Sequence, residues 1–588
     1  MSITVIRTTK YLKRHSLVIK MKIIRNNSIF LLIFITIFIF LGAGKAFDHQ
    51  LNHPSPTGFM ASDAYTHNWV AQNTYDTGYI NQPPIYSFDN NQDYNQKVDD
   101  YKLFHPPILP LLTASMARLS GSEVFDVNIT LVFLLISLLI ALNYFILARF
   151  NSLLALFSLP FTLLFLKGKF FISLSWGWWD FITGEFFLLA VILLLLNEKF
   201  SFRYFFNALL ITVAFMAHGV EAIYAAIFIS FYLIYIFLNK RKELFPFIIE
   251  QLKSLPLVLL IGGYSIIIFL KTMGQMGYSH LRMMTHSQFL TKIYEGSAPN
   301  FFIYFNEFGI YFKILIIIGI LIFGYLLFKK KNNPNSNLFP YYLFVVFMSL
   351  SPYLYIMAGE RGFQWRFLWP VYLSLAFGSI CLVIYLVLKK IIQNRTLLKT
   401  IIFSAGTITL IVMVLPLPFS GAGLIDAVDY ESYKWVHENT EPFSDILVLF
   451  SPINDQISRL YLLKRDLFIS TSENWQLMNT DNSLLINLKD DWRRDFFCKK
   501  SDCSLFQESH FMESERRQRD NYFKNISICS FDYIYVTFKN QQEIHNKNAG
   551  YLNYLISKNI TQPVFNNAGA VITKNIVKGE ECENRFRD

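Results

Sequence analysis

A polar stretch from Asp48 to His105 lies between two apolar runs of this chain and carries Ser62-Asp63-Ala64-Tyr65-Thr66-His67. Chains that cross a membrane many times rarely place this many carboxylates in a first loop unless chemistry happens there. A reaction at the outer membrane face needs a group that activates a nucleophile, something that steadies a leaving group, and a cleft reachable from lipid. Residue types for these roles recur at the ends of apolar runs. They are Asp63, Asp180 in Ser175-Trp176-Gly177-Trp178-Trp179-Asp180, Glu295 in the segment 271–307, and Arg366 before Phe367-Leu368-Trp369-Pro370.

Each has a plainer reading. Asp63 could be a solvated loop acid or a helix cap, and Asp180 an N-cap whose charge suits the helix dipole. Trp178 and Trp179 also fit an interfacial aromatic belt. Glu295 shares its loop with Glu307, His280 and His286. Arg366, costly in an apolar helix start, needs a phosphate, Glu360 or the interface as partner. His67, His105 and His218 are candidates for binding substrate, with His218 and Glu221 at an expected outer turn.

The elements that must position these residues are transmembrane helices. The 588 residues are 53% hydrophobic, 17% aromatic and only 16% charged, which excludes an ordinary soluble protein. Apolar runs long enough to cross a bilayer recur. They fall at 28–47, 124–148, 152–172, 181–197, 204–219, 220–238, 255–270, 308–328, 339–357, 366–388 and 398–417. The stretch 204–238 is too long for one span and is divided at His218-Gly219.

Seven Lys and Arg with no acid precede Ile29, so this arm is expected in the cytosol. Lys199 with Arg203, Lys240-Arg241-Lys242, Lys329-Lys330-Lys331, and Lys389-Lys390 with Arg395 then fall on the same side. The segments 48–105, 271–307 and 358–365 and the tail from Ser420 fall outside. A net charge of +11 therefore reflects topology, and the short juxtamembrane clusters exclude nucleic acid as a partner. Ile29 to Leu41 is read as an uncleaved anchor rather than a signal or transit segment, with Lys45 snorkelling at its outer end.

Three regions follow: a basic cytosolic arm at 1–27, a multi-span domain at 28–418 that includes the outer loop 48–105, and an extracytoplasmic domain at 419–588. The last is expected to be mixed α/β, with an amphipathic helix at 429–439, a buried strand at 446–450 and an alternating strand at 531–538. Cys498, Cys503, Cys529 and Cys582 lie in it, while Cys381 lies in a span. Two outer disulfides are possible, the preferred pairing being Cys498 with Cys503 and Cys529 with Cys582; zinc fits the spacing poorly. Asn525-Ile526-Ser527 and Asn559-Ile560-Thr561 are glycan acceptor patterns.

Asp63-Ala64-Tyr65-Thr66-His67, followed by Gly78-Tyr79-Ile80, resembles the first-loop acidic motif of oligosaccharyltransferase catalytic subunits. His105-Pro106-Pro107-Ile108-Leu109-Pro110, leading to Leu119-Ser120-Gly121, is similar to the Pro-Pro segment before their second helix. Arg366-Phe367 through Pro370 and Gly378 looks like their Arg-Phe helix, and Tyr433-Lys434-Trp435-Val436-His437-Glu438 resembles the opening of the outer domain in related microbial enzymes. By these patches and their order the chain resembles the GT-C superfamily of polytopic glycosyltransferases, related also to protein mannosyltransferases.

The resemblance implies a GT-C-like helical membrane fold of about eleven spans and an inverting transfer of a sugar from a polyprenyl- or dolichyl-phosphate-linked donor at the outer or lumenal face. Asp63 would be the catalytic base and Arg366 the donor-phosphate group; Asp63, Asp180 and Glu295 would offer oxygen ligands to Mg²⁺ or Mn²⁺. The tail has no Trp-Trp-Asp-Tyr-Gly signature and Asp63 is followed by Ala64, so the acceptor is left open among protein, lipid and glycan. Two rivals stand beside this reading: a transporter or flippase of lipid-linked saccharides, which would carry charges inside its spans, and a silent relative kept as a scaffold.

Overall fold

The computed structural model describes residues 28–42, 62–78, 106–167, 177, 179–198, 200–276, 309–329, 338–357, 369–415, 427–441, 444–449, 466–470, 476–480, 483–487, 526–537 and 552–587. Helix α1 covers Ser28–Gly42, α2 Ser62–Thr77, α3 Ile108–Ser120, α4 Val124–Ala148, α5 Ser152–Ser158 and α6 Trp179–Leu195. Then come α7 (Arg203–Ala217), α8 (Gly219–Asn239), α9 (Leu244–Met276), α10 (Gly309–Lys329), α11 (Phe339–Met357), α12 (Trp369–Tyr372), α13 (Ser374–Leu388), α14 (Arg395–Val414) and α15 (Ala427–Asn439). Among the described residues, five helical stretches are long and apolar enough to cross a bilayer: Val124–Ala148, Glu221–Asn239, Arg241–Leu270, Pro370–Leu388 and Arg395–Val414. The other expected spans fall on α1, α5, α6, α7, α10 and α11.

Helix α4 is apolar on all sides, as a helix at the centre of a bundle must be. Its one deep polar side chain on the α11 side is fully engaged. Asn143 donates to the Val371 carbonyl (3.1 Å) and the Ser374 hydroxyl (2.8 Å), and accepts from the Tyr341 hydroxyl (2.8 Å). This ties α4 to α11 and to the α12–α13 joint, where the helix breaks and leaves a carbonyl to satisfy.

The expected single helix at 152–172 is corrected. Asn151 caps α5 by accepting from the Leu153 and Leu154 amides at 2.8 and 3.3 Å. From Leu159 to Leu166 the chain tightens into a 3-10 helix with Pro160 at its start, because proline supplies no amide for an α-helical bond. Close packing against this region depends on glycine. A Cβ on Gly378 would lie 2.0 Å from Ser158 Oγ, and one on Gly319 2.4 Å from the Ala376 carbonyl oxygen, so α13 sits directly on α5 and α10.

Helix α9 has 33 residues with Pro256 inside it, and its long row of exposed apolar side chains includes Leu252, Leu259, Leu260, Ile267 and Leu270. Charged groups gather at the far end of α6 from Asp180. Arg203 pairs with Glu243 at 2.5 Å, Lys240 with Glu198 at 2.5 Å, and Arg149 donates to the Leu196 carbonyl at 2.6 Å. Arg203 and Lys240, two of the basic groups assigned by sequence to one side, thus lie at one end of α6.

The C-terminal part holds a five-stranded mixed sheet, β2-β1-β6-β8-β7, and a three-stranded antiparallel sheet, β3-β4-β5. The strands are β1 Asp445–Leu449, β2 Asp466–Ser470, β3 Gln476–Thr480, β4 Ser483–Asn487, β5 Ile526–Ser527, β6 Tyr533–Thr537, β7 Thr561–Asn566 and β8 Ala570–Asn575. β1 runs parallel to β2 and β6, and β8 antiparallel to β6 and β7. The expectation of an alternating strand at 531–538 is corrected, since Tyr533, Ile534, Tyr535 and Val536 are all buried. β6 is an inner strand covered on both faces, which favours a continuous apolar run.

Helix α15 packs on this sheet through the rings of Tyr433 and Tyr535, 6.1 Å apart. Burial pushes the Tyr430 phenol up, and Glu123 beside it adds to the shift. That proximity places the C-terminal part over the α3–α4 turn, the end of the bundle away from the basic cluster. Cys529 is bonded to Cys582 and Cys381 is a buried free thiol; Cys498 and Cys503 lie outside the described residues.

Candidate active site between helices 2, 6 and 8

Helix α2 is polar, and it stays on the bundle through a stripe of small and amide side chains. Ala64, Asn68 and Ala71 are fully buried, and Ala71 meets Ala117, Val124 and Val127 of α3 and α4. The Thr113 hydroxyl donates to Asn128 Oδ1 (3.0 Å), Asn128 Nδ2 to Asn68 Oδ1 (3.1 Å), and Asn68 Nδ2 to the Ala64 carbonyl (2.8 Å). The α3–α4 turn is tight because Gly121 takes φ +67°, a conformation that costs a side-chain-bearing residue energy.

On the other side of α2, His67 Nδ1 lies 3.5 Å from Asp180 Oδ2, and its ring sits 5.8 Å from that of the buried Trp179. Asp180 occupies the first turn of α6, where a carboxylate suits the positive end of the helix dipole, and its Oδ1 has no hydrogen-bond partner among the described residues. Asp63 lies four residues before His67 on α2, hence on nearly the same face; its side chain is outside the description.

His218 ends α7 in extended backbone and begins α8, so the expected break falls at that residue. Its Nδ1 is hydrogen-bonded to Glu221, and its ring lies 3.9 Å from that of Phe181. Gly184 makes this approach possible: a Cβ there would lie 2.9 Å from Glu221 Oε2 and 3.0 Å from His218 Cβ. Gly184→Ala is therefore expected to destabilise the protein by about 1–3 kcal/mol, read as a lower thermal midpoint of the purified full chain.

Among the described residues, two acids besides Asp180 lie buried within the helices. Glu221 is fully buried, and Glu185, five residues deeper along α6 than Asp180, is 1% exposed with neither oxygen hydrogen-bonded among the described residues. The Tyr372 hydroxyl at the end of α12 faces Glu185 without closing a hydrogen bond. A lone acid in the run from Phe181 to Leu196 is a costly substitution for an apolar residue, and that cost is the sequence signal for Glu185. Glu185→Met, which removes an unsatisfied buried carboxylate at similar volume, is expected to raise stability by about 1–3 kcal/mol; an unchanged or lower thermal midpoint would show the carboxylate to be satisfied.

Arg366, His105 and Glu295 lie outside the described residues, so the structure brings together His67, Asp180, His218 and Glu221 from the expected set, with α2 carrying Asp63 alongside. No three His, Cys, Asp or Glu side chains converge on one point among the described residues. The arrangement offers one buried carboxylate oxygen without a hydrogen-bond partner among the described residues and an acid–imidazole pair beside it, suited to holding hydroxyls or a hard cation.

No family model and no curated protein matches the chain. Among solved structures, the chain is similar to the Archaeoglobus fulgidus oligosaccharyltransferase, crystallised as a complex with Zn and sulfate, at 12% identity and a TM-score of 0.51, over 92% of this chain and 73% of that one. It is also similar to ArnT from Cupriavidus metallidurans in the apo state, at 11% identity and a TM-score of 0.48, over 93% of this chain and 97% of that one. The first likeness shows a fold shared with that oligosaccharyltransferase over 92% of this chain.

Proposed function

We propose that the protein transfers a sugar from a polyprenyl-phosphate-linked donor to an acceptor hydroxyl or amide at the extracytosolic membrane face. The observation that carries this reading is the 3.5 Å approach of His67 to Asp180, which sets the helix bearing Asp63 against a second outer acid on a GT-C-like scaffold. In the proposed single displacement, Asp63 takes the proton of the acceptor, the acceptor oxygen or nitrogen bonds to the anomeric carbon, and the bond from that carbon to the carrier phosphate breaks with inversion. Arg366 meets the charge of the departing phosphate.

The open Oδ1 of Asp180 fits a hard-cation ligand, and in this proposal Asp63, Asp180 and Glu295 hold Mg²⁺ or Mn²⁺, which would supply positive charge beside the departing phosphate. Treatment with a chelator is then expected to stop transfer, and added Mn²⁺ or Mg²⁺ to restore it. Arg366→Ala is expected to raise the donor concentration for half-maximal rate about 10–100-fold, the value of a lost charged hydrogen bond; unchanged kinetics would remove Arg366 from the site.

The buried acids Glu185 and Glu221 favour one other reading, movement of a lipid-linked saccharide across the membrane. One experiment separates the two. The purified full chain in sealed vesicles is given radiolabelled polyprenyl-phosphate sugars together with protein, lipid and glycan acceptors. Release of the free carrier phosphate with a labelled acceptor supports transfer; intact donor moved to the opposite leaflet supports transport instead.

A further inference from the structure

We infer that Asn128, on α4, is a positioning residue that sets the roll angle of α2 and with it the approach of His67 to Asp180. This rests on the transfer reading above only for its effect on turnover; the geometric claim stands apart from it.

Three donors run in one direction through three helices, from Thr113 to Asn128 to Asn68 to the carbonyl of Ala64, the residue after Asp63. All three side chains are fully buried, and both amides use their oxygen and their nitrogen. Amide bonds of this kind are directional, whereas the apolar contacts of α2, made by Ala64, Ala71, Trp69 and Tyr75, hold the helix on the bundle without a directional bond. A single buried Asn fixes the register of a coiled coil in the same way.

The helical angles complete the argument. Successive residues are 100° apart, so fixing Asn68 toward α4 also fixes its neighbour His67, and Asp63 lies only about 40° from His67 around the axis. The same roll angle that closes the Asn68–Asn128 bond therefore turns His67 toward α6, as the 3.5 Å separation from Asp180 records. A misplacement of about 1 Å at a reacting centre costs on the order of 10²-fold in rate, so a directional bond that fixes the roll of α2 has a direct bearing on turnover.

The test reads geometry first. In the full chain in native membranes, with Cys381, Cys498 and Cys503 replaced by Ser and a protease site inserted in 79–105, cysteines are placed at His67 and Asp180 and treated with the shortest bis-methanethiosulfonate. A cross-link holds the two cleaved fragments together on a denaturing gel. Asn128→Leu, and the milder Asn128→Ser, are expected to reduce cross-linking at equal membrane abundance, whereas Ser137→Ala on the same helix is expected to leave it unchanged. Adding Asn68→Leu to Asn128→Leu should produce no further loss, because one bond is broken in both.

In the chain with His67 and Asp180 intact, Asn128→Leu is expected to lower turnover about 10–100-fold with little change in donor half-saturation. Unchanged cross-linking in both Asn128 variants overturns the inference. Reduced cross-linking in a protein that transfers no sugar sustains the inference and overturns the transfer reading alone.

Discussion

Asp63→Asn is expected to lower sugar transfer by about 10²–10⁴-fold, the range for loss of a positioned general base. Asparagine matches the carboxylate in size but cannot take a proton from the acceptor at neutral pH. The fold of α2 has little stake in the change, because Ala64, Asn68, Ala71 and the amide relay to Thr113 hold the helix on the bundle. Membrane abundance and the Cys529–Cys582 bond are therefore expected to persist. Initial rates with a labelled lipid-linked donor check this; full activity in the variant would relegate Asp63 to a loop or capping role.

Asp180→Asn is expected to cost about 10²–10³-fold in the same assay, as loss of one preorganised electrostatic group does. Asp180 is 6% exposed, so water screens what it presents only weakly. It is also the carboxyl group that faces His67, so the change alters what that imidazole meets. If the two residues act as a unit, His67→Asn combined with Asp180→Asn loses less than the product of the separate losses. Independent losses that multiply would assign the residues to separate tasks.

Much of the helical scaffold is legible in the sequence because a bilayer imposes a minimum length on every apolar crossing. The division at His218 is legible for the same reason: a run from 204 to 238 exceeds the hydrocarbon thickness, and the His218-Gly219 pair near its middle offers a polar turn. Asp180 stands out because its carboxylate ends a tryptophan-rich turn. Glu185 does not, since a hydropathy window averages one acid into the leucines and phenylalanines that flank it, and nothing local reveals that Tyr372 will face it. The strand β6 is misread as alternating because the Tyr residues at 533 and 535 read as polar or apolar with equal ease; its burial depends on which strands flank it, a tertiary fact. The pairing of Asn68 with Asn128 spans 60 residues and leaves no periodic trace at all.

The length of α9 links the protein to the membrane that holds it. Thirty-three residues at 1.5 Å rise make a rod of about 50 Å, against a hydrocarbon layer of about 30 Å. The surplus is accommodated by tilt or by protrusion, and this helix leads directly into the segment that carries Glu295. The depth at which the two ends of α9 sit thus varies with acyl-chain length. Thickness mismatch becomes a control parameter, so reconstitution into short-chain and long-chain phosphatidylcholine would yield different rates from one and the same polypeptide.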